Sequence, residues 1–168
     1  QNAGIETALI DHQRYPTREA FDQDLAGAID SAQPDLVVLA GFMRILTPEF
    51  VARFSERLMN IHPSLLPLYP GLHTHQRALD NGDSHAGATV HYVNGELDGG
   101  PPVLQAKVPV NSGDDADALA ARVLAVEHQI YPVAVNWHLC GRLTWEDGSL
   151  IKDGMPVPPS GELWESTS

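Results

Sequence analysis

Residues 60–79, NIHPSLLPLYPGLHTHQRAL, gather Asn60, three histidines (His62, His73, His75) and three prolines (Pro63, Pro67, Pro70). Three readings are open: a metal site, a catalytic loop, or a proline-stiffened connection. Asn60 and His62 stand at i and i+2 at the end of a brief apolar run, LMNI at 58–61, so as strand residues they point to the same side. In open α/β sheets the carboxyl ends of strands are where ligands bind. Pro63 restricts the backbone beside His62, and Pro67 and Pro70 stiffen the rest of the loop, which is the pattern of a preorganised connection. The plain alternative is strong, because a lone histidine near a strand end is usually a satisfied polar residue. Metal binding is disfavoured: His73 and His75 at a helix start splay their rings apart, and the chain has one cysteine and no H-E-x-x-H.

A second candidate lies in ELDGGPP, residues 96–102. Gly-Gly-Pro makes a tight turn, so Asp98 sits on a constrained loop just past an apolar strand. Taken alone it is a turn aspartate capping its own backbone. If the two strand ends lie side by side, Asn60, His62 and Asp98 become one constellation.

The elements that must position these residues read as α/β. IETALI (5–10) suggests a short strand, and 17–32 a helix with Thr17 as N-cap and Phe21, Leu25, Ala28 and Ile29 on one face. DLVVLAG (35–41) suggests a strand buried on both faces of a parallel sheet, and Pro48 starts a short helix through Phe54. After the proline loop, THQRALDNG predicts a helix closed by Gly82, and GATVHYV (87–93) a strand. VLQAKVPV (103–110) alternates like a half-exposed strand, antiparallel or at an edge. Residues 114–131 predict a long amphipathic helix that Pro132 kinks or restarts, with 133–139 continuing helical. The expected whole is one domain, 1–168, with a mainly parallel sheet flanked by helices, an antiparallel C-terminal portion, and a loosely ordered Pro- and Ser-rich tail over 153–168.

Net charge is -12 and the isoelectric point about 4.8, which argues against nucleic acid, where basic patches supply most of the affinity. No segment has the length and apolarity of a membrane span, the start has no signal-peptide character, and Cys140 has no internal partner for a disulfide. Cytoplasm is the expected location, and small molecules the expected partners.

NIHPSLLP followed by YPGLHTH, with ELDGGP, LAGFMRIL (39–46) and VEHQIYP (126–132), resembles the folate-dependent formyltransferases over nearly the whole chain. Within them the pattern is most similar to the purine-biosynthesis branch. The resemblance implies a Rossmann-like sheet and transfer of a formyl group from 10-formyltetrahydrofolate to the amine of glycinamide ribonucleotide, without a metal. It implies a catalytic trio of Asn60, His62 and Asp98. Asn60 and His62 would face the negative charge developing on the formyl oxygen, where one donor lowers a barrier by about 3 kcal/mol. Asp98 would favour the imidazolium form of His62 and, with it, hold a water that relays the proton. By the same resemblance Met43, Arg44, Ile45 and Leu46, together with Asn94, Gly95, Glu96, Leu97 and Asp98, form the folate slot beside Asn60. Arg18 is a further folate contact, and Leu124, Ala125, Val126 and Glu127 meet the ribonucleotide. Asn94-Gly95 departs from a more acidic pairing expected there, which backbone contacts tolerate. The family's opening strand and phosphate-cradling Gly-rich turn match nothing after Gln1, so an N-terminally shortened chain with weak ribonucleotide binding is expected. The alternatives are a formyltetrahydrofolate hydrolase, a formyltransferase for another amine, or a folate-binding but inactive fragment; the assembly is a monomer or homodimer.

Overall fold

Thr17 caps helix α1 (Arg18–Ser31) by accepting from the Ala20 N–H, and Thr47 caps α2 (Pro48–Arg53) in the same way through Phe50. These caps belong to a computed structural model that describes residues 3–42 and 44–165. The remaining elements are β1 (Val37–Leu39), β2 (Leu58–His62), α3 (Thr74–Asp80), β3 (His85–Tyr92), β4 (Pro102–Pro109), α4 (Ala116–Leu139), β5 (Leu143–Glu146), β6 (Ser149–Lys152), β7 (Met155–Pro156) and β8 (Glu162–Leu163). The main sheet runs β1-β2-β3-β4-β8, with β1/β2 and β4/β8 parallel and β2/β3 and β3/β4 antiparallel; β5-β6-β7 form an antiparallel second sheet. This is the expected α/β sheet flanked by helices, with an antiparallel C-terminal portion.

Strand alternation divides the core between two faces. Met59, Val90, Tyr92 and Leu104 join Leu119, Val123 and Ile130 of α4 in one cluster. Leu58 and Val37 join Phe50, Val51 and Phe54 of α2 and Ala26 of α1 in the other. Along β2 this second face passes from Leu58 to Asn60 to His62, so the same strand that anchors a core ends in polar side chains.

Several expectations are corrected. Residues 5–10 form no strand, and Ile5 and Leu9 are exposed, having no neighbouring strand among the described residues. β1 is not buried on both faces: among the described residues it borders only β2, and Val38 is 42% exposed. β4 is not half-exposed, since it lies between β3 and β8 with Val103 and Gln105 buried and only Lys107 and Pro109 exposed. Pro132 does not restart α4, which is one helix from Ala116 to Leu139, with 133–139 helical as expected. Its lost hydrogen bond, a cost of about 3 kcal/mol, is offset by Ile130 and Ala134 in the core on either side. The tail is not loose throughout: Leu104 and Gln105 pair with Glu162 and Leu163, and Trp164 N–H donates to the Gln105 carbonyl at 2.7 Å.

Between β4 and α4, Asp114 accepts from Arg122 Nη1 (2.6 Å), Arg122 Nη2 (3.0 Å) and Asn111 N–H (2.7 Å), while the same guanidinium reaches the Pro109 carbonyl. The Arg122 guanidinium holds the Asp114 carboxyl at about 2, below its ordinary 3.8. A depressed carboxyl stabilises the fold above its unfolded value and loses that contribution as pH falls toward the folded one. Arg122→Met is therefore expected to lower the thermal midpoint by a few degrees at pH 6, with the gap from wild type closing between pH 4 and about 2. A scan of melting temperature against pH checks this; a gap unchanged at pH 2 would contradict it.

Candidate active site

The register places Asn60 opposite His91 and His62 opposite Thr89, so all four side chains share one face of the sheet. The Gly100 segment approaches Tyr92 so closely that a Cβ on Gly100 would stand 1.8 Å from the Tyr92 carbonyl oxygen. That approach folds 96–99 back over the end of β2. Asp98 adopts φ +50, a left-handed conformation that aspartate tolerates better than most residues, and its Oδ2 accepts from Gly71 N–H at 2.9 Å. The carboxylate then faces His62 Nδ1 at 3.4 Å and His91 Nε2 at 3.8 Å, with Asp98 and both imidazoles nearly buried. The structure thus brings together the expected trio and adds His91.

The proton positions follow from the partners. His91 Nδ1 lies 2.9 Å from the Tyr92 carbonyl and must carry the proton, which leaves Nε2 to accept from Asn60 Nδ2 at 3.5 Å. Burial pushes the His91 imidazole down, against smaller opposing effects of the Tyr92 carbonyl and Asp98, so it is neutral at pH 7. Asn60 keeps a second N–H for the cleft. His62 Nε2–H donates to the Tyr69 carbonyl at 2.8 Å. Its Nδ1 is the less committed nitrogen, since 3.4 Å from Asp98 is long for a hydrogen bond.

In front of these groups a cleft of about 140 Å³ opens, lined by Leu39, Ile45, Leu46, Val51, Val93 and Leu97 and, at its polar end, by Asn60, His91 and Asp98. Arg44 and the 94–96 segment complete it. The two segments expected to form a folate slot are its opposing walls. Met43 lies outside the described residues. Such a volume takes a flat bicyclic ring between apolar walls, with the rest of a larger ligand leaving through the mouth. A larger cavity, about 370 Å³, lies between α1 and α2 beside Glu19, Asp22, Glu49 and Arg53, away from Asn60, His62 and Asp98.

Other expected residues are not brought to this cleft. Arg18 is in the first turn of α1 and pairs with Glu19 at 3.8 Å; the arginine on the lining is Arg44, stacked 4.7 Å over the Phe21 ring. Leu124, Ala125, Val126 and Glu127 belong to α4, which packs on the opposite face of the sheet. Tyr131 of this helix donates to the Leu39 carbonyl at 2.6 Å, at the carboxyl end of β1, and reaches that of Met59 at 3.0 Å, near the start of β2. Glu127 lies one turn earlier on the same helix face, and burial raises its carboxyl. His73 is exposed and His75 follows at the start of α3; no group of three or more His, Cys, Asp or Glu among the described residues could hold a metal ion. Sequence reasoning missed His91. The available signal was the alternation of GATVHYV, which puts His91 on the face opposite Val90 and Tyr92.

An apolar slot ending in an amide donor, an imidazole and a carboxylate defines a group-transfer site on a Rossmann-like frame. Residues 1–135 match the family model for formyl transferase, and the chain belongs to this family. It is 53% identical over 161 residues to phosphoribosylglycinamide formyltransferase of Escherichia coli (strain K12), a match covering 96% of this chain and 76% of that protein. The enzyme of the same name from Haemophilus influenzae is 44% identical over an equal span, again 96% and 76% of the two chains. The crystallised phosphoribosylglycinamide formyltransferase of Coxiella burnetii superposes with a TM-score of 0.92 at 44% identity, covering 98% of this chain and 77% of that one.

Proposed function

We propose that this chain transfers a formyl group from 10-formyltetrahydrofolate to the amine of glycinamide ribonucleotide, a step of purine biosynthesis. The observation that carries the reading is the convergence of Asn60, His91 and Asp98 at the polar end of a cleft walled by 44–46 and 94–97, with the nearly buried His62 against Asp98 behind them. The donor supplies an electrophilic formyl carbon, and the residues at the polar end supply what attack by an amine requires. Asn60 offers its free amide N–H to the formyl oxygen, oriented because His91 Nε2 takes the other. His62 Nδ1, 3.4 Å from the Asp98 carboxylate, is the second group turned to the side where charge develops on the formyl oxygen. Asp98 Oδ1 makes no hydrogen bond among the described residues, and is the group placed to receive, directly or through one water, the proton the amine sheds as its bond to the formyl carbon forms, and to return it to the folate N10 as the bond from that carbon to N10 breaks. Met43 to Leu46 and Asn94 to Asp98 hold the pterin end of the donor, Arg18 reaches its outer part, and Leu124 to Glu127 meet the ribonucleotide past the ends of β1 and β2.

Formyl-folate turnover with and without glycinamide ribonucleotide tests this. The expected result is formylated ribonucleotide in step with folate release, and little formate in the absence of the acceptor. Formate released at the same rate without any amine would identify a hydrolase instead.

A further inference from the structure

We propose that Thr89 and Gln105 are positioning residues for His62, acting through the proline loop that supplies the Tyr69 carbonyl. His62, Thr89 and Gln105 form one transverse row of the sheet, paired His62 to Thr89 and Thr89 to Gln105 across β2, β3 and β4. All three are buried. The Thr89 hydroxyl donates to the Ser64 carbonyl at 2.7 Å and accepts from Leu66 N–H at 3.1 Å and from Gln105 Nε2 at 2.9 Å. One donor and two lone pairs are thereby all used. Gln105 Nε2 also donates to the Leu66 carbonyl at 2.7 Å. Ser64 Oγ reaches onward to the Leu68 carbonyl at 2.5 Å, one residue before Tyr69, whose own carbonyl accepts from His62 Nε2–H.

The consequence concerns which nitrogen of His62 faces the carboxylate. With Nε2–H committed to Tyr69, Nδ1 is the atom turned to Asp98. If the loop moved, the ring would lose the partner that fixes its orientation, and the Nδ1 proton would no longer be delivered beside Asn60. A glutamine buried at 6% exposure, with Nε2 spent on the Leu66 carbonyl of this loop and on the Thr89 hydroxyl that holds it, is hard to account for as core filling. This inference rests on the reading that His62 takes part in formyl transfer.

The test uses Thr89→Val, which keeps shape and removes the hydroxyl, Thr89→Ser, which keeps the hydroxyl, and Gln105→Met. Thr89→Val is expected to lower kcat by about 10–30-fold with KM for both substrates within about 2-fold, while Thr89→Ser stays within about 3-fold of wild type. In parallel, the ring ¹⁵N signals of His62, assigned by comparison with His62→Asn, are expected to move in Thr89→Val and to stay in place in Thr89→Ser. Should Thr89→Val fail to fold, Gln105→Met carries the same test with a loss of about 5–10-fold. A folded Thr89→Val or Gln105→Met with wild-type ring signals and kcat overturns the proposal, as does a serine variant as impaired as the valine one. Because the ring signals do not depend on turnover, they separate this proposal from the catalytic reading, which full activity in His62→Asn would remove.

Discussion

His62→Asn is expected to lower kcat for formyl transfer by about 10³, with KM for the formyl donor and the ribonucleotide changed only a few-fold. The magnitude is that of removing one preorganised donor from a site where negative charge develops, about 3–4 kcal/mol, since such a donor acts in the transition state far more than in the ground state. His62 is only 6% exposed and contributes no wall to the cleft, so substrate binding has little to lose. The shorter asparagine also gives up the bond to the Tyr69 carbonyl, which leaves a buried acceptor unpaired and lowers stability by about 1–3 kcal/mol. Steady-state kinetics below the melting transition of the variant separates the two effects: a variant that is folded, binds both substrates and turns over at wild-type rate would remove His62 from the mechanism.

That the trio was legible in the sequence, and His91 was not, has a physical reason. Strand period alone sets Asn60 and His62 on one side, and Gly-Gly-Pro alone sets Asp98 on a turn; both are local facts. Asn60 meeting His91 depends on the register between β2 and β3, which is set by the packing of Met59, Ile61 and Val90 against α4 and by no local feature of either segment. The same distinction explains the fold. The cap at Thr17 was readable from the sequence, whereas the exposure of Val38 and the burial of Gln105 depend on which strands become neighbours. Alternation correctly described the period of β4 and misjudged its environment. A buried polar side chain looks in sequence like an exposed one, and only its partners Thr89 and Leu66 distinguish it. The walls of the cleft, 44–46 and 94–98, carried no periodic signal at all; resemblance to the family found them, and the approach of Gly100 to Tyr92 explains why the second wall stands where it does.

Asp98→Asn is expected to lower kcat by about 10³, and the double variant with His62→Asn to be little worse than either single one. The substitution keeps shape, and the amide oxygen can still accept from Gly71 N–H, so the left-handed turn at residue 98 survives. What changes is the group facing His62 Nδ1. The oxygen that accepts from Gly71 N–H is also the atom nearest Nδ1, so an uncharged amide oxygen replaces the carboxylate there and a proton on Nδ1 loses its counter-charge. The carboxylate that would receive the amine's proton is lost in the same step, a contribution of about 10²–10⁴ on its own. Because both losses pass through the one contact between His62 and Asp98, removing the second partner after the first adds little, which is the behaviour of residues that act as a unit. The four rates of the cycle, measured at saturating substrates, decide the matter. Additive losses would mean that His62 and Asp98 act independently, and an Asp98→Asn variant retaining more than about a tenth of wild-type kcat would show that neither the pair nor the proton acceptor is needed for transfer.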